Sequence, residues 1–84
     1  MTFEEFEKIF EQDNQGNHAV DRIFQGLKII KKYISDADIE NAEHDQIWST
    51  DCDKLVEAGI TELDAVILNN LGWFIDEESL SHFA

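Results

Sequence analysis

The chain has 84 residues, 43% of them hydrophobic, and a formal net charge of −13. That composition supports one folded domain over residues 1–84 and excludes a disordered acidic tail, while the length leaves little room for a second core. No run nears the roughly 20 apolar residues a membrane-spanning helix needs, and a surface this acidic repels nucleic acid and anionic lipid while attracting basic surfaces.

Thr2 followed by Glu5 is a capping-box pattern, and Phe3, Phe6, Ile9 and Phe10 recur at helical spacing. The spacing predicts a first amphipathic helix over 2–12, stopped by the turn-forming run Asp13-Asn14-Gln15-Gly16-Asn17. A second helix is predicted over 18–34. Its Val20, Ile23, Leu27, Ile30 and Ile34 fall on an a/d heptad, with Phe24 widening the stripe. Arg22, Lys28, Lys31 and Lys32 lie on or beside its other faces, so four of the chain's six bases belong to this helix.

Ser35 to Asp45 is acidic, poor in large apolar residues, and reads as a loop. Gln46 to Thr50 alternates and reads as a short strand. Asp51 is placed to cap a short helix through Ala58, with Leu55 and Val56 inward and Gly59 as its stop. Thr61 and Asp64 form a second capping-box pattern. The helix from Glu62 to about Leu71 is expected to bury Leu63, Val66, Ile67 and Leu71, and Gly72 ends it. Trp73-Phe74-Ile75, an acidic turn at Asp76-Glu77-Glu78-Ser79 and Leu80-Ser81-His82-Phe83 form a closing hairpin. The expected fold is α+β: a small single domain with four helical segments packed on a two- to three-stranded antiparallel sheet.

The charge is unevenly spread. Residues 35–84 hold thirteen Asp and Glu against one base, Lys54, whereas residues 1–34 are nearly balanced. Asp36, Asp38, Glu40, Glu43, Asp45, Asp51 and Asp53, with Glu57, are therefore the candidate partner-binding residues: neighbouring carboxylates can imitate a run of phosphates and occupy a basic groove. The bland alternative is a solvated acidic face. An apolar anchor is sought among Trp48, Trp73 and Phe74. Alternation turns one of Trp73 and Phe74 outward, and Trp73 is taken as the candidate.

The sites for catalysis are weaker. Asp36-Ala37-Asp38-Ile39-Glu40 resembles a calcium loop, but its sixth and twelfth positions are Asn41 and Ile47; a frame from Asp51 places Val56 at the sixth. His44 lies between Glu43 and Asp45, and a metal centre at His44 and Asp45 would need His82 beside it, since none of the three histidines has metal-ligand spacing to another. The default role for His44 is to order the loop leading into the strand. Cys52 sits between two carboxylates that disfavour its thiolate. As the only cysteine it can form no internal disulfide, which fits a reducing cytoplasm, and the acidic N-terminus has no apolar segment of a signal peptide. No catalytic residue, cofactor or metal ligand is assigned.

Glu43-His44-Asp45-Gln46-Ile47-Trp48, Leu55-Val56-Glu57-Ala58-Gly59-Ile60-Thr61-Glu62, Leu71-Gly72-Trp73 and Asp76-Glu77-Glu78 together resemble small acidic phage- and prophage-encoded proteins of unassigned function, over about residues 40–84. The resemblance implies work in the cytoplasm of a bacterial host and carries no activity over to particular residues. By class-level analogy, such proteins bind host proteins, including CRISPR and restriction systems, as inhibitors or DNA mimics. The sequence thus leads to a non-enzymatic binding protein that occludes a basic, nucleic-acid-binding protein surface without touching nucleic acid or membrane itself. The alternative is a small metal-binding or metal-assisted enzyme centred on His44 and Asp45.

Overall fold

A computed structural model describes residues 1–12 and 21–83. Among them are four helices and four strands: α1 (Phe3–Phe10), α2 (Arg22–Tyr33), β1 (Asn41–Glu43), β2 (Gln46–Asp51), α3 (Cys52–Glu57), α4 (Glu62–Asn70), β3 (Phe74–Asp76) and β4 (Ser79–Phe83). The run Asp13–Asn17 and the first residues expected of the second helix, Val20 included, lie outside the described residues. No described helix is long and apolar enough to cross a membrane.

The fold is a small α+β arrangement, with one strand more than expected. The sheet is wholly antiparallel in the order β1-β2-β4-β3. Two hairpins, β1–β2 and β3–β4, meet along the β2–β4 pair, and α3 and α4 fill the connection between them. The added strand is β1, which falls inside the segment read as a loop. It pairs Asn41 with Trp48 and Glu43 with Gln46, and all three of its residues are exposed. An edge strand with no buried face has no apolar period to betray it.

Paired residues share a sheet face. Ile47 pairs with His82 and Ile75 with Leu80 on the side covered by helices, where Ile47 and Leu80 join the core. The core also takes Phe6 and Ile9 from α1, Ile30 from α2, Leu55 from α3, and Ala65 and Leu68 from α4. Thr2 caps α1 in a reciprocal capping box with Glu5, as its sequence pattern predicts. Gly59 and Gly72 take φ of +89° and +94°, the left-handed conformation that ends α3 and α4.

Four local expectations fail. Thr61 accepts from Asp64 N, but Asp64 does not return the bond; its carboxylate instead accepts from Lys32 Nζ and the Tyr33 hydroxyl. Asp51 makes no side-chain cap and accepts from Ser79 Oγ at 3.0 Å. Helix α4 is also turned from its expected orientation: Leu63 and Ile67 are 69% and 37% exposed, while Asp64, Ala65, Leu68 and Asn69 are buried. Phe24, likewise, does not widen the buried stripe of α2 but stands exposed beneath Lys28 Nζ.

Candidate functional site

The acidic strap between α2 and β1 is tied to β2 by its backbone. Ser49 Oγ donates to Asp38 O, and Glu40 N donates to Trp48 O, each at 2.8 Å. The exposed Asp36, Asp38 and Glu40 line a notch of about 150 Å³ with Thr50 and Lys54, the single base of the second half. At the same end of β2, Cys52 N donates to Glu78 O at 2.9 Å, which brings the Glu77–Glu78 turn beside Asp51. Asp53 follows on the exposed side of α3. Glu43 and Asp45 are exposed at the opposite end of the β1–β2 hairpin, about 17 Å away for a six-residue antiparallel strand such as β2. Carboxylates of the strap and of the β1–β2 hairpin thus follow the β1 side of the sheet, while Asp51 and the Glu77–Glu78 turn stand at the strand ends, with β3 forming the opposite edge. Among the described residues the only ion pair is Lys32–Asp64, which involves none of these acids.

The sheet face opposite the helices carries the second half of the site. Asn41, Trp48, Ser81 and Phe74 lie in register across all four strands. One register further, Gln46 pairs with Phe83. None of Trp48, Phe74 and Phe83 belongs to the hydrophobic core. The Phe74 and Phe83 rings pack at 4.7 Å, and Phe83 is 61% exposed. Beneath them lies a polar network. Gln46 Nε2 donates to Asp76 Oδ2 and Ser81 Oγ, both at 2.8 Å, and Trp48 Nε1 donates to the same Asp76 oxygen at 3.2 Å. Ser81 Oγ donates onward to Ile47 O. The bond to Asp76 fixes the Trp48 indole, and Phe74 and Phe83 are held by packing on each other, as a surface that binds with little reorganisation requires.

Trp73 is not part of this face. It is fully buried, with its indole N–H directed at Arg22 O, and cannot be the apolar anchor. It precedes β3 instead of opening it, and its backbone N–H donates to Leu68 O in the turn that ends α4. Phe83, expected only as part of the closing hairpin, is the exposed aromatic of this sheet face, with half-buried Phe74 and Trp48 beside it. Its signal was its cross-strand position, visible only once β2 and β4 were known to pair.

The chemical candidates separate in space. His44 sits exposed in the β1–β2 turn with φ +53°, so its contribution there is a left-handed backbone. His82 pairs with Ile47, and its Nε2 lies 2.9 Å from Leu71 O while its ring meets Trp73 edge-on at 5.4 Å. Among the described residues no group of three or more His, Cys, Asp or Glu side chains is placed to hold a metal ion. The calcium-loop frame from Asp51 runs through α3. Cys52 is fully buried, and burial, followed by the nearby charges of Asp51 and Asp53, pushes its thiol up to about 12. The site that remains is a carboxylate edge joined to an open aromatic sheet face. No protein-family model, curated protein or solved structure matches the chain.

Proposed function

We propose that this is a non-enzymatic binding protein whose acidic edge occludes a basic, nucleic-acid-binding surface of another protein. The observation that carries the reading is the row of exposed carboxylates at Asp36, Asp38, Glu40, Glu43, Asp45, Asp51 and Asp53, with no ion pair to any of them among the described residues. Unneutralised charge of one sign steers an oppositely charged partner into contact and makes the encounter salt-sensitive. The adjoining Trp48, Phe74 and Phe83 supply apolar contact that slows dissociation. In the setting implied by the sequence resemblance, the partner is a nucleic-acid-binding protein of a bacterial host, and the chain acts in the cytoplasm as an inhibitor or DNA mimic.

The test is affinity capture from bacterial lysate at low salt and at about 0.5 M, where the Debye length is only a few ångströms. A basic nucleic-acid-binding protein should be enriched at low salt and lost at high salt. Replacing Asp36 and Asp38 with Asn, and Glu40 and Glu43 with Gln, should abolish its capture while the domain stays folded. Undiminished capture by that variant would sink the proposal.

A further inference from the structure

Strand β3 forms the edge of the sheet opposite β1, and α1 passes beside it. A notch of about 250 Å³ opens between them, lined by Glu7, Phe10 and Glu11 at the end of α1 and by Phe74 and Ile75 of β3. Two local periods produce this lining. Residues 7, 10 and 11 are three and four apart, so they share one side of the helix. Asp76 and Ser79 flank a two-residue turn and form its hydrogen-bonded pair, which leaves Ile75 and Leu80 as the non-hydrogen-bonded pair. The N–H and C=O of Ile75 therefore point away from β4, out of the sheet edge on which the notch opens.

The lining has one chemical character. Glu7 and Glu11 are exposed carboxylates one helical turn apart, with no ion pair to either among the described residues. Lys8, the only base of α1, lines a separate hollow with Met1, Glu5 and Ile9. The Ile75 carbonyl adds a third acceptor. Among these groups stand the half-buried rings of Phe10 and Phe74, each packed on a second ring, Phe6 at 4.8 Å and Phe83 at 4.7 Å. Acceptors set around aromatic walls suit a cation, because ring faces attract positive charge as carboxylates do. The volume falls below the roughly 300–1,000 Å³ of pockets for drug-sized molecules, and suits one long side chain.

We infer that the notch receives one arginine side chain of a protein partner. Arginine is favoured over lysine by shape. Its guanidinium is planar, stacks on rings and carries five donors in a fixed fork, whereas an ammonium is a compact and more strongly hydrated point charge. Two carboxylates one turn apart and a carbonyl at the strand edge are spread acceptors, which a fork serves together and a point charge does not. The carboxylates of the strap and the β1–β2 hairpin follow the other side of the sheet and take no part. The inference therefore stands or falls independently of the proposed function.

The probe is Nα-acetyl-arginine methylamide, titrated at low salt into the isotope-labelled full chain and followed by amide chemical shifts. The Ile75 N–H and the amides of Glu7, Phe10, Glu11 and Phe74 should move together, with Kd on the order of 1–10 mM. The citrulline analogue, which keeps the shape without the charge, should leave them unmoved, and the lysine analogue should bind at least about threefold more weakly. Glu7→Gln with Glu11→Gln should weaken arginine binding by at least about fivefold and leave the fold intact, because both side chains face solvent. Phe74→Leu, which keeps an apolar side chain on β3 but removes the ring, should also weaken it. Equal affinity for the arginine and lysine analogues would overturn the inference, since it would reduce the binding to the general attraction of a chain with net charge −13. So would shifts centred on Asp36, Asp38 and Glu40, undiminished binding by the double Gln variant, or no shift at any site.

Discussion

The indole of Trp73 occupies the space a side chain at Gly26 would need. A Cβ built on Gly26 falls inside contact distance of Nε1 and Cε2 of the ring, which is fully buried and bonded through Nε1 to Arg22 O at 3.3 Å. Helix α2 can lie this close to the turn after α4 only because residue 26 has no side chain. Gly to Ala inside a helix ordinarily stabilises by about 1 kcal/mol. Here the sign should reverse. Gly26→Ala is expected to cost about 1–3 kcal/mol net, as overpacking against a rigid core ring does, and a lowered urea midpoint with altered Trp fluorescence would show it.

The β3–β4 turn offers the opposite case. Glu77 and Glu78 hold φ of +50° and +68°, a conformation for two-residue hairpin turns in which Asn-Gly is strongly preferred. A double substitution, Glu77→Asn with Glu78→Gly, is expected to raise stability by about 1–2 kcal/mol by relieving two left-handed non-glycine residues. It also removes two charges from the acidic end. Glu77→Gln with Glu78→Gln measures that contribution alone, and the Asn-Gly variant should exceed it in thermal unfolding at both low and high salt.

How far the sequence reveals this molecule depends on what each signal physically reports. Local signals read well: the Thr2–Glu5 box, the left-handed stops at Gly59 and Gly72, and the acidic turn at Glu77–Glu78 all depend on residues within a few positions of one another. Strand β1 was hidden because its three exposed residues carry no apolar alternation; pairing with β2 alone makes it a strand. Hydrophobicity alone points Leu63 and Ile67 inward, yet both side chains of α4 are exposed. The deciding partners, Lys32 and Tyr33, lie about thirty residues earlier in the chain. The same holds for the candidate site. Its carboxylates can be read one by one, but the aromatic face of Trp48, Phe74 and Phe83 exists only through the β2–β4 and β3–β4 registers. Trp73, by contrast, is drawn into the core by the small residue at position 26.

The Asp64 cluster should be visible in acid. The Lys32 ammonium at 2.8 Å, then the Tyr33 hydroxyl, hold the Asp64 carboxyl below its ordinary value. A depressed carboxylate stabilises the fold above its unfolded-state value of about 3.9, and that contribution is lost as pH falls through the folded value. Asp64→Asn is therefore expected to lower stability at pH 6 and to flatten the acid limb below about pH 4. Urea midpoints at pH 3, 4 and 6 for both proteins check it. An unchanged difference between the two across that range would mean that Asp64 titrates as it does in the unfolded chain.

Cys52 should be inert while the protein is folded. Its thiol is buried at the start of α3 and pushed up to about 12, first by burial and then by the charges of Asp51 and Asp53. At pH 8 an ordinary thiol with a value of about 8.5 is about one quarter thiolate, whereas a group at about 12 is thiolate in only about one molecule in ten thousand. Native protein mixed with an aromatic disulfide reagent at pH 8 should therefore react more than a hundredfold more slowly than in urea. The same shift has a stability consequence: a raised value favours folding below about 8.5, and the benefit declines as pH rises towards the folded value. Stability should accordingly fall between pH 7 and pH 9.5, by less in Cys52→Ala than in the parent chain. Fast native labelling, or equal losses in both proteins, would show that the thiol is not sealed beneath the β3–β4 turn.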